Sequence, residues 1–200
     1  LTFYNPCFTN AELTESLKLI GNKDFNKPLT IGFAGALVDN KGLGILLKAL
    51  KMLPDFSWIN RVLIIGGGVN RKKYQLLAQD IPVDVQFKGW LNRYELNKLY
   101  AEIHIQVIPS KSEGFPKVLS ESAAFGCVPI VSAMPAIEQL ITSDNNGFLL
   151  KELLPEELCS ILKFINRERQ LLHSMSNNIL KIVHNFTYEK YNHQIREKIL

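Results

Sequence analysis

The residues most suited to chemistry are Glu113 and Glu121, which stand at the two ends of the stretch Glu-Gly-Phe-Pro-Lys-Val-Leu-Ser-Glu. With a helix beginning between them and a rise of ~1.5 Å per residue, the two carboxylates should lie roughly 8–12 Å apart. That gap is too wide for a carboxylate dyad. It is wide enough for one carboxylate to hold hydroxyls of a hexose and the other hydroxyls of a ribose, with two phosphates between them.

A short helix is predicted to position these residues. Pro116 suits the first helical position, where its missing N–H costs nothing, and Gly126 suits the residue just past the end. The helix should therefore run from about Pro116 to Phe125. Its unpaired N–H groups and its dipole would favour a diphosphate at the Gly114–Lys117 corner.

The composition is that of one ordinary globular domain. Of the 200 residues, 46% are hydrophobic and 21% are charged, which is enough apolar content to bury one core. The net charge of +4, without a basic run, suits an anionic ligand such as a nucleotide and does not indicate nucleic acid. Cys7, Cys127 and Cys159 are widely spaced, so neither a disulfide framework nor a zinc site is indicated, and a reducing cytosol fits best.

Short apolar runs alternate with helical patterns, which predicts an α/β domain with a doubly wound, Rossmann-like parallel sheet. The predicted strands cover residues 29–35, 61–66, 83–89, 104–108, 128–131 and 147–150. The predicted helices cover residues 43–53, 71–79, 93–101, 116–125, 136–141, 155–185 and 188–200. Ligands in such sheets bind beyond the carboxyl ends of the strands. The corners at Gly35, Gly66–Gly68, Gly89–Leu91 and residues 110–116 should therefore converge on one crevice.

The order of motifs at these corners resembles the C-terminal, donor-binding domain of retaining GT-B glycosyltransferases of the family 4, group 1 type. Glu-x7-Glu alone is a weak signal, because acidic residues recur by chance in many helices. The resemblance rests on an ordered set: Phe-Ala-Gly-Ala-Leu with Lys-Gly at 33–42, Ile-Ile-Gly-Gly-Gly at 64–68, Phe-Lys-Gly-Trp-Leu at 87–91, Pro-Ser at 109–110, Glu-Gly-Phe at 113–115, Gly-x-Val-Pro at 126–129 and Gly-Phe-Leu at 147–149. It implies sugar transfer from a UDP-, GDP- or ADP-sugar to a glycan or lipid-linked acceptor, in cell-envelope polysaccharide or lipopolysaccharide biosynthesis.

The resemblance also implies roles for individual residues. Glu113 would hold the donor sugar and Lys41 the diphosphate, and these two are the expected catalytic residues. Glu121 would bind the ribose, and main-chain groups near Gly89–Leu91 would bind the base. The expected donor-binding residues are Gly35, Lys41, Gly66, Gly67, Gly89, Trp90, Leu91, Glu113, Gly114, Phe115, Pro116, Lys117 and Glu121.

Stabilising the departing nucleoside diphosphate is the chief electrostatic requirement of glycosyl transfer. The ammonium of Lys41 can stabilise a departing nucleoside diphosphate. Where the resembled family usually has Gly-Arg-Leu ahead of this lysine, the chain has Ala36 in place of the arginine. The missing contact, worth roughly 1.5–3 kcal/mol, would weaken donor binding by about one to two orders of magnitude unless Lys111 or Lys117 replaces it.

Neither a metal nor a cofactor is expected. The chain has no Asp-x-Asp pair, and its four histidines show no ligand spacing, which predicts metal-independent transfer. His104 opens an apolar strand and is interpreted as a core or boundary residue rather than a base.

Structural explanations compete with several of these roles. Lys117 and Glu121 are four residues apart on a helix and could form only a solvated ion pair. Glu113 could serve the helix dipole, and Lys41 could be an ordinary surface lysine. Gly66–Gly68 could make a tight turn without approaching a ligand.

Other functions are also open. Ala36 favours a non-catalytic GT-B donor-fold module that binds or regulates a partner chain. A dinucleotide-dependent oxidoreductase is opposed by the lack of a Gly-x-Gly-x-x-Gly motif after the first strand. A GT-B epimerase of nucleotide-sugars would need further acid or base residues, which the sequence does not identify.

Residues 1–27 are expected to form an interdomain linker segment, and residues 28–200 the nucleotide-sugar-binding C-terminal domain with its terminal helix. The acceptor domain would precede them, so the fragment alone is expected to be inactive and to pack against its own N-terminal domain. The first residue is Leu, which fits a piece of a longer protein. No apolar run reaches the ~18 residues of a membrane span, and the expected location is cytoplasmic, with a peripheral contact to the inner face of a membrane left open.

Overall fold

The computed structural model describes residues 4–20 and 23–198 of the chain. Within these ranges the strands form one parallel sheet with the order β3-β2-β1-β4-β5-β6. Its strands are β1 (Leu29–Ala34), β2 (Ile59–Ile65), β3 (Asp84–Gly89), β4 (Ile105–Ile108), β5 (Val128–Ser132) and β6 (Phe148–Leu150). The order reverses direction between β1 and β4, which confirms the doubly wound, Rossmann-like prediction.

Helices connect the strands and cover both faces of the sheet. The α-helices are α1 (Asn10–Leu19), α2 (Leu43–Lys51), α3 (Arg71–Ala78), α4 (Arg93–Glu102), α5 (Lys117–Ala123), α6 (Pro135–Glu138), α7 (Pro155–Arg167), α8 (Leu171–Ile182) and α9 (Tyr188–Lys198). Short 3-10 turns cover Asp39–Lys41 and Val183–Phe186. None of the helices in the described ranges has both the length and the apolar character needed to cross a bilayer.

The core lies in two layers because the central strands are buried on both faces. Val62 and Ile64 of β2 point into one layer, with α2 and α7, whereas Leu63 and Ile65 point into the other, with α5 and α8. Side chains that alternate between faces of a strand explain this division. Burial on both faces also explains why these strands are continuous apolar runs in the sequence.

Two helix predictions need correction. The single helix predicted over residues 155–185 is broken after Arg167, and the chain turns before α8 begins at Leu171. The break lets α7 pack in the first core layer while the second half of α8 reaches the other one. Local periodicity does not show this turn, because both halves are amphipathic on their own.

The helix that carries the two glutamates is shorter than predicted. Pro116 has an extended backbone, with ψ of 110°, and precedes the helix instead of occupying its first position. Helix α5 runs only from Lys117 to Ala123, about two turns. Gly126 has a positive φ of 66° and lies two residues beyond the C-cap Ala124, one position further from the helix end than predicted.

The segment expected to be a linker contains ordered structure that packs on the domain. Thr9 and Glu12 form a capping box at the start of α1. Phe8 and Leu13 are buried in the second core layer, and Phe8 pairs with Thr187 in an isolated parallel bridge. The ends of the predicted linker and terminal helix, residues 1–3, 21–22 and 199–200, lie outside the described residues.

Candidate active site

A cavity of about 260 Å³ lies beyond the carboxyl ends of β1 and β4, where the sheet order reverses. Both apolar and charged side chains line it. The lining residues are Phe33, Ala34, Gly35, Lys41, Ile108, Ser110, Glu113, Phe115, Lys117 and Val118. This is the position at which parallel α/β sheets bind ligands.

The two expected catalytic residues contact each other in this cavity. Nζ of Lys41 lies 2.6 Å from Oε1 of Glu113. The Lys41 side chain is 33% exposed and that of Glu113 is 16% exposed, so the pair is partly shielded from solvent. With Lys117 also in the lining, the charged groups of the cavity sum to one positive charge, which suits an anion that competes with Glu113 for the ammonium groups.

Close backbone contact positions Lys41 at the cavity. Gly42 has a φ of +76°, and a Cβ atom there would lie 1.9 Å from the carbonyl oxygen of Pro109. The Lys111 N–H donates to the carbonyl oxygen of Asn40 at 2.9 Å. Because glycine follows Lys41, the first βα corner can approach the loop after β4 closely enough for Lys41 to reach Glu113.

The same corner is anchored to α3 through Asp39. Its Oδ1 accepts hydrogen bonds from Asn70 at 3.1 Å, Lys73 at 2.7 Å and the Tyr74 hydroxyl at 2.8 Å. The bonds from Lys73 and Tyr74 lower the pKa of Asp39. Burial and then the bond to Asp39 raise the pKa of Tyr74 to about 12. Asp39 carries no motif of its own, and only its place two residues before Lys41 could have drawn attention to it.

The glycines at residues 66–68, in the corner after β2, allow neighbouring loops of the protein to pack closely together. A Cβ atom on Gly66 would lie 2.0 Å from the carbonyl oxygen of Gly35, and one on Gly67 would lie 2.4 Å from Nε1 of Trp90. Neither Gly66 nor Gly67 lines the cavity. These contacts favour the tight-turn explanation for the run, whereas Gly35 itself lines the cavity.

The third corner, which follows β3, carries Trp90, and this residue is 76% exposed. Gly89 has a φ of +73°, and Leu91 packs partly buried against the second core layer. None of these three residues lines the cavity, so the corner lies beside it at the same edge of the sheet.

Glu121 also lies outside the cavity lining. Its Oε1 accepts from Nη1 of Arg93 at 2.7 Å, and its side chain is 17% exposed. This bond joins α5 to the start of α4, directly after the Gly89–Leu91 corner. Glu121 follows Lys117 by four residues, so both lie on one face of α5. Glu121 pairs with Arg93 and not with Lys117, the partner that the competing structural explanation named, and no sequence motif singles out Arg93.

The structure therefore brings only part of the expected site into one cavity. Gly35, Lys41, Glu113, Phe115 and Lys117 line it. Gly114 is exposed beside them and Pro116 is buried behind them. Lining residues that the sequence did not assign come mostly from strand ends and the adjoining loop and helix: Phe33, Ala34, Ile108, Ser110 and Val118.

Lys111 and Lys117 are the residues that the sequence analysis names as substitutes for the arginine that is absent at Ala36. Lys117 lines the same cavity as Lys41, whereas Lys111 lines a separate depression on the other side of the Asp39–Gly42 turn. Lys117 is therefore the better placed of the two substitutes. In the part of the chain that the structure describes, no group of three or more His, Cys, Asp or Glu side chains could hold a metal ion.

Comparison with known proteins identifies the family to which the chain belongs. The family model described as "Glycosyl transferases group 1" matches residues 18–182. The chain belongs to this glycosyltransferase family.

Individual relatives agree with this assignment. An uncharacterized glycosyltransferase of Haemophilus influenzae is 28% identical over 167 residues, which cover 80% of this chain and 46% of that protein. The chain thus spans about half the length of that curated relative.

Solved structures show which part of the GT-B architecture is present. Anabaena HepE in complex with UDP matches with a TM-score of 0.76 and 20% identity, over 96% of this chain and 53% of HepE. The C-terminal domain of LpcC, a group 1 family glycosyl transferase from Francisella tularensis, matches with a TM-score of 0.69 and 18% identity, over 92% of this chain and 96% of that one. The described fold is that of a GT-B C-terminal domain.

Proposed function

We propose that this chain is the donor-binding domain of a retaining hexosyltransferase, which transfers a sugar from a nucleoside diphosphate to a glycan or lipid-linked acceptor. The observation that carries the proposal is the cavity that brings Lys41, Glu113 and Lys117 together at the carboxyl edge of the sheet. Two cations beside one carboxylate suit a ligand with a diphosphate at one end and sugar hydroxyls at the other.

The ion pair between Lys41 and Glu113 gives each residue a role in donor binding. A diphosphate that takes up the ammonium group of Lys41 releases Glu113 to accept hydrogen bonds from the hydroxyls of the sugar. As the bond between sugar and phosphate breaks, negative charge grows on the diphosphate, and Lys41 and Lys117 stabilise it. An interaction that is stronger in the transition state than in the bound ground state accelerates transfer and does not only tighten binding.

The nucleoside would extend from the cavity along α5 toward the third corner. Glu121 lies one helical turn beyond Lys117 on the same face, and its bond to Arg93 connects it to the Gly89–Leu91 corner. This arrangement suits a ribose at Glu121 and a base near the main chain of that corner, with Trp90 exposed beside it. The UDP complex of the related HepE fold supports a nucleotide in such a site.

The complete enzyme would include an N-terminal acceptor domain, because the chain spans about half the length of its Haemophilus influenzae relative. Residues 1–27 would connect the two domains, and the chain alone would be inactive. We place the enzyme in the cytoplasm, at the inner face of a membrane where the acceptor is lipid-linked. Cell-envelope polysaccharide or lipopolysaccharide biosynthesis is the proposed pathway.

Calorimetric titration with UDP, GDP and ADP and with their glucose conjugates tests the proposal. Lys41→Gln should weaken binding of the preferred nucleoside diphosphate by about 10–100-fold, the equivalent of one charge-assisted hydrogen bond. Glu113→Gln should weaken the nucleotide-sugar more than the nucleoside diphosphate. Lys48→Gln is the matched control, because Lys48 is an exposed lysine of α2 that does not line the cavity.

Two outcomes would contradict the proposal. Failure of every nucleotide and nucleotide-sugar to bind would favour the non-catalytic module suggested by Ala36. An inverted anomeric configuration in the product of the full-length protein, measured by NMR, would rule out the retaining mechanism.

A further inference from the structure

Arg93 is held at two points beside the proposed donor site. Its Nη1 donates to Oε1 of Glu121 at 2.7 Å, and its Nη2 donates to the carbonyl oxygen of Cys7 at 3.3 Å. Arg93 is the first residue of α4, whose start is fastened by a capping box between Asn92 and Glu95. The guanidinium therefore extends from a fixed backbone to two fixed acceptors. Because it is already ordered, it loses little conformational freedom when it holds Glu121.

The surroundings of Glu121 define where its carboxylate lies. Sγ of Cys7 lies 2.9 Å from Oγ of the adjacent Ser120, so the segment that contacts Arg93 is also held against α5. The buried Tyr100 hydroxyl lies close to the carboxylate of Glu121, although the two groups do not form a hydrogen bond of ordinary geometry. Burial raises the pKa of Tyr100 well above its ordinary value, and the nearby negative charge of Glu121 acts in the same direction. Glu121 thus lies between the guanidinium of Arg93 and the hydroxyl of Tyr100.

We propose that Arg93 is a positioning residue for the nucleoside end of the donor site: it holds Oε1 of Glu121 so that Oε2 accepts hydrogen bonds from the ribose hydroxyls. This inference rests on the proposed function, because it requires a nucleoside diphosphate in the site. Arg93 itself need not contact the ligand. Its effect acts through the orientation of one carboxylate, which a lysine would reproduce only in part, because an ammonium lacks the planar fork that contacts both acceptors.

A purely structural ion pair is the competing explanation. Arg93 is 42% exposed, and pairs of that exposure often contribute little to stability. The two explanations differ in what they predict for the ligand. A structural pair affects all ligands alike, whereas a positioning residue affects only ligands that carry the ribose hydroxyls.

The test compares ribose and deoxyribose ligands by calorimetric titration. UDP, GDP and ADP are each paired with the 2′-deoxy counterpart, and inorganic pyrophosphate reports on the phosphate part of the site. In the wild-type protein, the preferred nucleoside diphosphate should bind about tenfold more tightly than its 2′-deoxy counterpart, as expected for one hydrogen bond to a carboxylate.

Arg93→Gln should reduce this ribose preference to about threefold or less, while the affinity for pyrophosphate stays within about twofold of wild type. Arg93→Lys should retain an intermediate preference. Arg61→Gln is the matched control, because it removes another arginine–glutamate pair, with Glu102, that lies outside the cavity and contributes nothing to Glu121. It should leave both the preference and the pyrophosphate affinity unchanged.

The outcomes separate the inference from the proposed function. If the wild-type protein binds nucleoside diphosphates without a ribose preference, or if Arg93→Gln keeps that preference, the positioning role is overturned and donor binding stands. An equal loss of affinity for pyrophosphate and nucleotides in Arg93→Gln would also overturn it, in favour of a structural role. If the wild-type protein binds neither nucleoside diphosphates nor pyrophosphate, both the inference and the proposed function fail.

Discussion

At the scale of residues, the ion pair between Lys41 and Glu113 defines the chemistry of the site. The two residues are 72 positions apart in the chain, and each can be assigned a role from its local motif. The pair shows that the group expected to bind phosphate and the group expected to bind sugar are within one hydrogen bond of each other. Their coupling means that a change to either residue also alters the partner, so single substitutions measure more than one contact.

His104 shows the opposite case, a titratable residue whose role is structural. Its Nδ1 accepts a hydrogen bond from the N–H of Thr30 at 3.1 Å, which requires an unprotonated nitrogen. Burial lowers the pKa of His104 to about 4, and the positive charge of Lys23 acts in the same direction, as does the weaker effect of Arg169; a backbone hydrogen bond with Asp24 acts in the opposite direction. These contacts agree with its interpretation as a core or boundary histidine rather than a base.

We predict that His104 makes the free energy of unfolding depend on pH below neutrality. The pKa of His104 is about 4 in the folded protein, whereas an ordinary histidine has a pKa of 6.5. The unfolded chain therefore takes up the proton first as the pH falls. The stabilisation from neutral His104 is therefore complete above pH 6.5 and is lost progressively as the pH falls to 4. It amounts to at most roughly 3 kcal/mol.

Urea unfolding of the wild-type protein and of His104→Gln at several pH values between 4 and 7.5 measures this contribution. The variant should show a shallower loss of stability with falling pH than the wild type. His173→Gln, at a more exposed position on α8, should follow the wild-type curve. Parallel curves for wild type and His104→Gln would contradict the prediction.

At the scale of elements, the first βα corner depends on one glycine. Gly42 combines a left-handed backbone with direct contact to Pro109, and the corner that it closes carries Lys41. Gly44, two residues further along, is an ordinary position within α2, where a Cβ atom would lie 3.7 Å from the nearest side-chain atom. These two glycines provide a matched comparison between a required and a replaceable glycine.

Gly42→Ala should lower the free energy of unfolding by about 2–4 kcal/mol, because it adds left-handed strain to a clash with backbone. It should also weaken binding of the preferred nucleoside diphosphate, because Lys41 moves with the corner. Gly44→Ala should be neutral or stabilise by up to about 1 kcal/mol through improved helix propensity. Urea denaturation and calorimetric titration measure the two effects, and equal stability changes for both variants would refute this account of the corner.

At the scale of the whole molecule, the segment before the first strand is part of the packed domain. Phe8 and Leu13 complete the second core layer together with Phe186 from the end of the chain. The ring of Phe186 contacts Tyr4 edge to face at a centroid distance of 5.6 Å and contacts the tilted ring of Phe115 at 5.4 Å. Because Phe115 lines the cavity, Tyr4 and Phe186 pack behind the proposed donor site.

Truncation of Phe8 should therefore be costly. Phe8→Ala should lower the free energy of unfolding by about 3–5 kcal/mol, as expected for the removal of a buried aromatic ring. Leu17→Ala, at an exposed position of the same segment, should change it by no more than about 0.5 kcal/mol. Urea denaturation measures both. A negligible effect of Phe8→Ala would mean that the segment does not contribute to the stability of the domain.

Much of the fold could be predicted from local patterns. Continuous apolar runs such as β1 and β2 identify buried strands, and the amphipathic pattern of α2 identifies a helix, because each depends only on neighbouring residues. The break after Arg167 could not be predicted in this way. Both α7 and α8 are helical on their own, and the turn between them exists because they pack in different layers.

The features of the candidate site can likewise be divided into those that local sequence predicts and those that depend on tertiary packing. The sequence alone determined the class of fold, the corners at the carboxyl edge and the identity of Lys41, Glu113 and Lys117 as charged groups at those corners. Only the tertiary structure decided that Lys41 pairs with Glu113 and that Glu121 pairs with Arg93, 28 residues away. The physical reason is that strand and helix patterns arise from local periodicity, whereas a contact between distant side chains depends on how the intervening elements pack.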